Sequence, residues 1–437
     1  MLARVPRDLP ATTLLALGAS TLLQLACVVT PGRYHPVAVT LIVAAGVLLV
    51  AALIQLGKPA RVPAAAVLAA PLLLLGHAAL APLRPLYALG PVPSVALLPV
   101  GVFALTLTYL ARTHRPLVNH LRFGVLVFLT AATGAQVIAA SPQPRIDVFA
   151  FQTRGADELL SGYNPYATVS VMDSNPDLEE ELSVPYTYPP VQLLATTLAR
   201  LVGGDVRWAM LVALLLAGVA ARQAARRRAP DAPDFVHDAP ALILFGGPII
   251  ALVIEQSWVD LVPLGLLSAA LWALTVERGW LAAVVFGLAL AAKQPLVLLF
   301  PLLWFLPGFG WRKVLVAAGT AMATVVPFVI WDAGAFFHGT VAYFVAAPPR
   351  GDALTLSNMI RFRFGWAPGE LLGLSAALLV GAVARSRLRR SSATFVLLGS
   401  LALMLVFLTG RLAFTNYYFL LSGMTAIGGV LACEEAV

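Results

Sequence analysis

Long apolar runs alternate with short polar segments along almost the whole chain. A helix that crosses a lipid bilayer needs about 20 apolar residues, and about 14 runs approach that length. They lie near residues 11–30, 36–56, 63–82, 91–112, 120–140, 204–226, 239–255, 257–277, 279–293, 294–306, 314–331, 367–385, 392–409 and 412–432. Because the backbone polar groups of a spanning segment must be satisfied within it, the pattern predicts an all-α polytopic membrane protein with about 14 transmembrane helices.

Two places in this pattern are ambiguous. The apolar segment 189–202 is short for a span, and we expect it to lie in the membrane interface. The second place is Lys293–Gln294–Pro295, because proline disfavours helix at the residue before it and breaks the hydrogen-bond ladder. We therefore expect two short helices, 279–293 and 294–306, that meet beside Lys293.

The polar segments differ in charge from one side of the predicted helix bundle to the other. Most lysines and arginines fall in alternate segments, and such residues collect on the cytoplasmic side of a membrane protein. This rule predicts that both termini are cytoplasmic. The long loop 141–187, which is rich in Asp and Glu, and the loop 332–366 then lie on the outer face of the cytoplasmic membrane.

The composition supports a membrane protein and argues against other classes. The 437 residues are 60% hydrophobic and 11% charged, whereas soluble proteins carry about 25% charged residues. The net charge of +8 fits cytoplasmic anchoring by basic residues, so no nucleic-acid partner is predicted. Cys27 and Cys433 lie near opposite termini and the six histidines lack metal-ligand spacing, so neither a disulfide framework nor a metal site is predicted.

Asp147 opens the long outer loop a few residues after a predicted helix end near Ala140. The apolar positions that follow it predict a short helix from about 148 to 161. As the N-cap of that helix, Asp147 would accept hydrogen bonds from otherwise unpaired backbone N–H groups. Alternatively, a carboxylate beside an apolar surface has a raised pKa and can act as a general base. The residue pattern alone leaves both roles open.

The sequence around Asp147 resembles a known family of membrane enzymes. "DVFAFQTRGADELLSGYNPY" followed by "YTYPPVQLLATTLARL" is similar to the first outer loop of GT-C glycosyltransferases, most of all glycosyltransferase family 87. The later segments "EQSWVDLVPLGLLSAAL", "GLALAAKQPLVLLFPLL", "WDAGAFFHGTVAYF" and "TNYYFLL" resemble further parts of that family in the same order. The likeness covers roughly residues 120–432.

The resemblance implies a fold and a division of the chain. Residues 113–437 would form a GT-C-like catalytic transmembrane module with outer loops 141–187 and 332–366, and short interfacial helices in the first of them. In the family plan the catalytic loop follows the first helix, whereas here four extra predicted helices precede the helix at 120–140. Residues 1–112 are therefore expected to be additional transmembrane helices of unassigned role.

The resemblance also implies a reaction. Family 87 enzymes are alpha-mannosyltransferases with polyprenyl-phosphate donors, so a hexose, mannose by resemblance, would pass to a hydroxyl of a lipid or glycan acceptor. Asp147 matches the family's base, which removes the proton of the acceptor hydroxyl as that oxygen attacks the anomeric carbon with inversion. No cofactor is implied, and because the first outer loop contains no DxD motif, no metal is expected.

The leaving polyprenyl phosphate is anionic, so the site needs cationic side chains on the outer face. The candidates are Arg350 as the first choice, then Arg361, Arg363, Arg411 and Arg207, together with Lys293. For each arginine, anchoring in the membrane interface is the alternative role. A lysine inside an apolar run is costly, so Lys293 either lines a polar cavity or reaches towards the headgroups.

A further group of polar and aromatic residues in the predicted outer turns could bind the sugar or the acceptor. The group comprises Glu255, Gln256, Trp258, Asp260, Tyr188, Asn416 and Tyr417. Helix capping and headgroup contact explain the first four equally well, Tyr188 is also placed to shape the loop, and the last two fit an aromatic belt.

Two other functional classes fit an all-helical membrane chain. A transporter or flippase predicts internal repeats and paired charges near the bilayer midplane, where Lys293 is the strongest candidate. A polysaccharide polymerase or ligase would depend on outer arginines or on a histidine such as His338, and it would not need Asp147.

Overall fold

The computed structural model describes residues 8–29, 32–111, 116–173 and 182–436, and these are overwhelmingly helical. The helices are α1 (Ala11–Val29), α2 (Pro36–Gln55), α3 (Ala64–Leu80), α4 (Pro93–Leu107), α5 (Pro116–Ala140), α6 (Asp147–Leu160), α7 (Pro165–Thr168), α8 (Pro190–Gly203), α9 (Arg207–Arg228), α10 (Asp234–Gly246), α11 (Ile250–Glu255), α12 (Leu261–Thr275), α13 (Gly279–Leu290), α14 (Trp311–Trp331), α15 (Ala333–Phe337), α16 (Tyr343–Ala346), α17 (Leu356–Phe364), α18 (Glu370–Arg387), α19 (Ser392–Thr409) and α20 (Thr415–Leu431). The all-α prediction is confirmed.

Extended structure in the described residues is confined to two short antiparallel pairs. Strand β1 (Asp8–Pro10) pairs with β2 (Arg61–Pro63), and β3 (Ser170–Asp173) pairs with β4 (Leu182–Pro185). The first pair ties the chain before α1 to the chain before α3. The second pair lies between α7 and α8 and forms part of the long polar loop.

Eight helices in the described residues are long and apolar enough to cross a membrane: α1, α2, α4, α5, α9, α14, α19 and α20. Shorter apolar helical segments comprise α3, α12, α13, Gln294–Phe305 and Ala333–Ala346. Helix α14 exposes most of its apolar surface, including Leu315 and Ile330. Such exposure fits a helix that faces lipid, since hydrocarbon chains do not penalise apolar side chains.

Breaks in the helices appear where the sequence places proline. Helix α13 ends at Leu290, and tight 3-10 turns over Gln294–Leu299 and Pro301–Phe305 follow it, which confirms the predicted break at Lys293. A second break was not predicted. The run 239–255 is divided between α10 and α11 around Pro248, because proline offers no N–H to the helical ladder.

The bundle has two ends that the predicted topology distinguishes. The end that carries α6, Asp260 and Lys293 is called the α6 end below. At the opposite end, the Arg228 end, Arg228 forms an ion pair with Glu434 at 2.8 Å. Helices α9 and α12 pack side by side between the two ends, and a Cβ atom on Gly265 would approach the Ala213 carbonyl oxygen to 2.7 Å.

Candidate active site

Helix α6 begins with Asp147 as its first helical residue, not as its N-cap. The N-cap is Ile146, which has extended backbone and no side-chain group that can cap the helix. The N-cap position predicted for Asp147 is therefore wrong, because the helix starts one residue earlier than its apolar pattern predicts. The Asp147 side chain is half-buried, and the backbone N–H groups of Asp147 and Val148 at the start of α6 stabilise its charged form.

A pair of buried glutamines fixes α6 in the bundle. Gln152 donates from Nε2 to the carbonyl oxygen of Ser257 at 2.6 Å, and its Oε1 accepts a hydrogen bond from Gln192 Nε2 at 2.9 Å. These bonds join α6 to the turn between α11 and α12 and to α8. Since buried polar groups are paired in stable folds, the two amides hold the start of α6 at a defined distance from that turn.

The turn between α11 and α12 carries Asp260 and has an unusual backbone. The N–H groups of Ser257 and Trp258 bond to the carbonyl groups of Ile254 and Val253, both at 3.1 Å, as in a Schellman helix end. Ser257 occupies the left-handed position of this motif with φ of 58°, where glycine is the usual residue. The turn directs the Ser257 carbonyl towards Gln152 and delivers Asp260 to the start of α12.

An aromatic cluster forms one wall of the site. The Tyr166 hydroxyl donates to the carbonyl oxygen of Tyr188 at 2.8 Å, and the ring of Tyr188 meets that of Phe151 edge-on at 6.0 Å. Gly155 leaves room for Tyr186, because a Cβ atom there would lie 2.5 Å from that ring. Burial raises the pKa of Tyr188 well above its ordinary value, and the nearby negative charges of Asp147 and Asp260 act in the same direction.

Lys293, Asp260, Asn416 and Tyr417 form one cluster. Lys293 Nζ lies 2.7 Å from Asp260 Oδ1 and 3.8 Å from the centre of the Tyr417 ring. Asn416 Nδ2 donates to Asp260 Oδ2 at 2.6 Å. Lys293 is 5% exposed and Asp260 is 1% exposed, so the ion pair is almost completely removed from solvent. The helix break at Lys293 allows this ion pair to form, because the lysine side chain extends from the broken end of the helix to Asp260.

Arg350 and Asp352 lie in the loop before α17, and their charges act on Asp147. Arg350 Nε and Nη2 each donate to an Asp352 oxygen at 3.0 Å, and the guanidinium lies 5.2 Å from the centre of the Phe414 ring. Burial raises the pKa of Asp147; the positive charge of Arg350 opposes this shift, and the negative charge of Asp352 adds to it. Both charges are therefore close enough to Asp147 to influence its protonation.

Glu255, Gln256 and Trp258 occupy internal positions at the same end. Glu255 is fully buried and accepts hydrogen bonds from the backbone N–H groups of Leu86 and Tyr87, at 2.6 and 2.9 Å, and from the Ser141 hydroxyl at 2.6 Å. Trp258 Nε1 donates to Gln256 Oε1 at 3.0 Å. These contacts hold the loop before α4 and the end of α5 against the turn.

Arg207 is enclosed in a similar way. Its guanidinium binds Asp205 through two hydrogen bonds and donates to the carbonyl groups of Ser141 and Ile138 at 2.7 and 3.1 Å. The side chain has no exposed surface. Since the end of a helix leaves carbonyl groups without helical partners, Arg207 joins the end of α5 to the start of α9.

The remaining predicted cations lie on the rim formed by α17 and the loop before α20. Arg411 forms an ion pair with Glu370 at 3.2 Å and donates to the Ala347 carbonyl at 3.1 Å. Arg361 and Arg363 lie in the last turn of α17, and Arg363 is exposed. The Arg411 partners Glu370 and Ala347 lie outside α6.

Three residues of the site, Asp352, Gln152 and Gln192, were not predicted from the sequence. Asp352 follows Arg350 by two residues, and the spacing alone gave no sign that it would hold the guanidinium with both oxygens. Gln152 and Gln192 lie at buried positions of α6 and α8. A polar residue on the face of a helix that should be apolar is the signal that could have identified the two glutamines.

Comparison with known proteins identifies the family. The model of glycosyltransferase family 87 matches residues 186–430, which is more than half of the chain and includes the Lys293 cluster and Arg350. Asp147 lies before the matched residues. No curated protein and no solved structure matches the chain. With its apolar helices and this family match, the chain belongs to glycosyltransferase family 87 and is a membrane glycosyltransferase.

Proposed function

We propose that this enzyme transfers a hexose, mannose by family resemblance, from a polyprenyl-phosphate donor to an acceptor hydroxyl. The acceptor is a lipid or a glycan. Asp147 removes the proton of the acceptor hydroxyl while its oxygen attacks the anomeric carbon. The bond from that carbon to the donor phosphate breaks, the polyprenyl phosphate leaves, and the configuration is inverted.

The observation that carries this proposal is the environment of Asp147. Its carboxylate is half-buried at the start of α6, and burial raises its pKa towards the range in which a general base works at neutral pH. The backbone N–H groups of Asp147 and Val148 oppose this shift, since they favour the charged carboxylate. Tyr188, whose own pKa responds to the charge of Asp147, borders the same space.

Arg350 is the proposed partner of the donor phosphate. A guanidinium binds phosphate oxygens with two parallel hydrogen bonds, and a fixed positive charge stabilises the leaving group as its negative charge develops. The positive charge of Arg350 lowers the pKa of Asp147, which supports the proposal that base and cation serve one reaction centre. Arg361, Arg363 and Arg411 on the rim are secondary candidates that would guide the donor towards Arg350.

Lys293 and its neighbours are proposed to hold the donor from the other side. A buried lysine in a membrane protein is retained at functional positions, and this one is already paired with Asp260. The phosphate would share Lys293 with Asp260. The carboxylate of Asp260, the amide of Asn416 and the rings of Tyr417 and Tyr188 would contact sugar hydroxyls and the sugar face.

The membrane topology completes the proposal. About 14 spans would place both termini in the cytoplasm and the α6 end at the outer face of the cytoplasmic membrane. Helix α8 would lie in the interface, because Leu198 and Leu201 are exposed while Gln192 and Leu193 are buried. Residues 1–112 would act as a scaffold, since Ser20 of α1 hydrogen-bonds Ser422 of α20 at 2.9 Å.

The test is sugar transfer by the full-length protein in nanodiscs, with polyprenyl-phosphate-mannose and a membrane lipid extract as acceptor. The wild type is compared with Asp147→Asn, which keeps the side-chain shape and removes the basic oxygen. Loss of a general base lowers the rate by about 10²–10⁴-fold. Full activity of a normally folded Asp147→Asn protein would overturn the assignment of the base, and absence of wild-type transfer with any polyprenyl-phosphate hexose would overturn the donor class.

A further inference from the structure

A cleft lies at the Arg228 end, away from the proposed active site. It has a volume of about 520 Å³ and opens between the end of α9 and the turn that joins α12 to α13. The residues that line it are Arg227, Trp272, Thr275, Val276, Glu277 and Arg278. Nothing in the proposed transfer reaction uses these residues.

The turn that forms one side of the cleft has the geometry of a Schellman helix end. The N–H groups of Glu277 and Arg278 bond to the carbonyl groups of Leu274 and Ala273 at 3.3 and 2.9 Å. Glu277 occupies the left-handed position with φ of 61°, where glycine would be less strained. A carboxylate therefore stands at a position whose backbone favours a residue without a side chain.

Three of the residues that line the cleft are charged. Among the described residues, Arg227, Glu277 and Arg278 form no ion pair, although the adjacent Arg228 pairs with Glu434 at 2.8 Å. Two guanidinium groups and one carboxylate thus surround a single cleft beside the half-buried indole of Trp272.

These groups match a ligand that carries a phosphodiester and an amine. Guanidinium groups bind phosphate oxygens in pairs of hydrogen bonds, whereas a carboxylate and an indole face both attract an ammonium group. Tryptophan and arginine at the end of a membrane helix bundle lie at the level of lipid headgroups. We propose that this cleft binds the headgroup of an amine-bearing phospholipid, with Arg227 and Arg278 on the phosphate and with Glu277 and Trp272 on the ammonium.

Native mass spectrometry of the full-length protein tests this assignment. The purified protein is titrated with phosphatidylethanolamine, phosphatidylglycerol and phosphatidylcholine. We expect wild type to retain phosphatidylethanolamine about tenfold more tightly than phosphatidylglycerol, which lacks the amine. Equal binding of all three lipids would overturn the proposal, as would displacement of the lipid by an equal concentration of soluble phosphoethanolamine.

Variants separate the two halves of the site. Glu277→Gly removes the backbone strain at the left-handed position, so this variant should fold at least as well as wild type. It should lose the preference for the amine while still binding phosphatidylglycerol. The double variant Arg227→Gln/Arg278→Gln should lose both lipids. Arg389→Gln, an exposed arginine at the same end but outside the cleft, is the matched control. A loss with Arg389→Gln as large as with the double variant would assign the effect to general surface charge and overturn the specific site.

Discussion

The two ends of the helix bundle use buried charge differently. At the Arg228 end, Arg222 Nε lies 2.5 Å from Asp238 Oδ1, and both side chains are almost fully buried. The Tyr109 hydroxyl donates to the other Asp238 oxygen, and the Arg222 guanidinium covers the ring of Phe123 at 4.0 Å. These groups project from closely packed helical segments, and they satisfy one another's charges and hydrogen bonds.

At the α6 end, the charged groups come from segments far apart in the chain. Asp147 starts α6, Asp260 and Lys293 lie at helix breaks, and Arg350 belongs to a loop. Asp147 is half-exposed and has a raised pKa. The comparison teaches that burial of a charge does not identify a functional site by itself. Convergence of several chain segments on a titratable group that substrate can reach is the stronger criterion.

The largest effect is expected when the Arg222–Asp238 pair is broken. Arg222→Met leaves the buried Asp238 carboxylate without its cation and should reduce the free energy of unfolding by about 3–5 kcal/mol. The double variant Arg222→Met/Asp238→Leu should recover most of this loss, since no charge remains buried. Thermal unfolding in detergent measures both effects. Transfer per folded molecule should not change, and a rate lost without a lower unfolding temperature would assign the pair to catalysis.

Arg350→Gln should lower the rate of transfer and leave stability unchanged, which is the opposite of the result expected for Arg222→Met. The proposed transition-state charge loses its main cation, so kcat should fall about 10²–10³-fold while the unfolding temperature stays close to that of wild type. Arg84→Gln, an exposed arginine of the same end, serves as the control and should retain activity. Equal rates for the Arg350 and Arg84 variants would remove Arg350 from the phosphate site.

The variant Glu255→Gln tests whether Glu255 stabilises the fold or binds the sugar. Glu255 accepts three hydrogen bonds from Leu86, Tyr87 and Ser141. Hydrogen bonds to a charged acceptor contribute about 1.5–3 kcal/mol, so the substitution should lower stability by about that amount. The KM for the donor should hardly change. A raised KM at unchanged stability would instead support the sugar-binding role predicted for Glu255.

The smallest expected effect is a shift of the acid limb of the pH–rate profile. The proposed transfer needs ionised Asp147, whose pKa is raised by burial, so kcat/KM should fall as pH drops through a value above the usual carboxylate pKa of about 4. Arg350→Gln removes a charge that lowers this pKa, so the acid limb should move to higher pH. Asp352→Asn removes a charge that raises it, so the limb should move to lower pH. Shifts in the reverse directions would contradict the assignment of Asp147 as the base.

Several features of the site could be predicted because they depend on residue type and local pattern. The break at Lys293 followed from Pro295, and Lys293 itself was a candidate as a lysine inside an apolar run. Asp260, Asn416 and Tyr417 were candidates as polar or aromatic residues in the predicted outer turns. Their direct contacts could not be predicted. The N-cap position also escaped, since Asp147 and Ile146 differ by one residue and the apolar pattern does not resolve helix ends so finely.

The sequence by itself determined the helical class, the presence of apolar helices long enough to cross a membrane, and the family, because hydropathy and motif order are properties of short segments. Only the tertiary structure decided which charges meet. It paired Arg350 with Asp352, brought both towards Asp147, and enclosed Arg207 and Glu255 among backbone groups. The physical reason is that charge interactions fall with distance and strengthen with burial, and both quantities depend on the packing of segments that are remote in the chain.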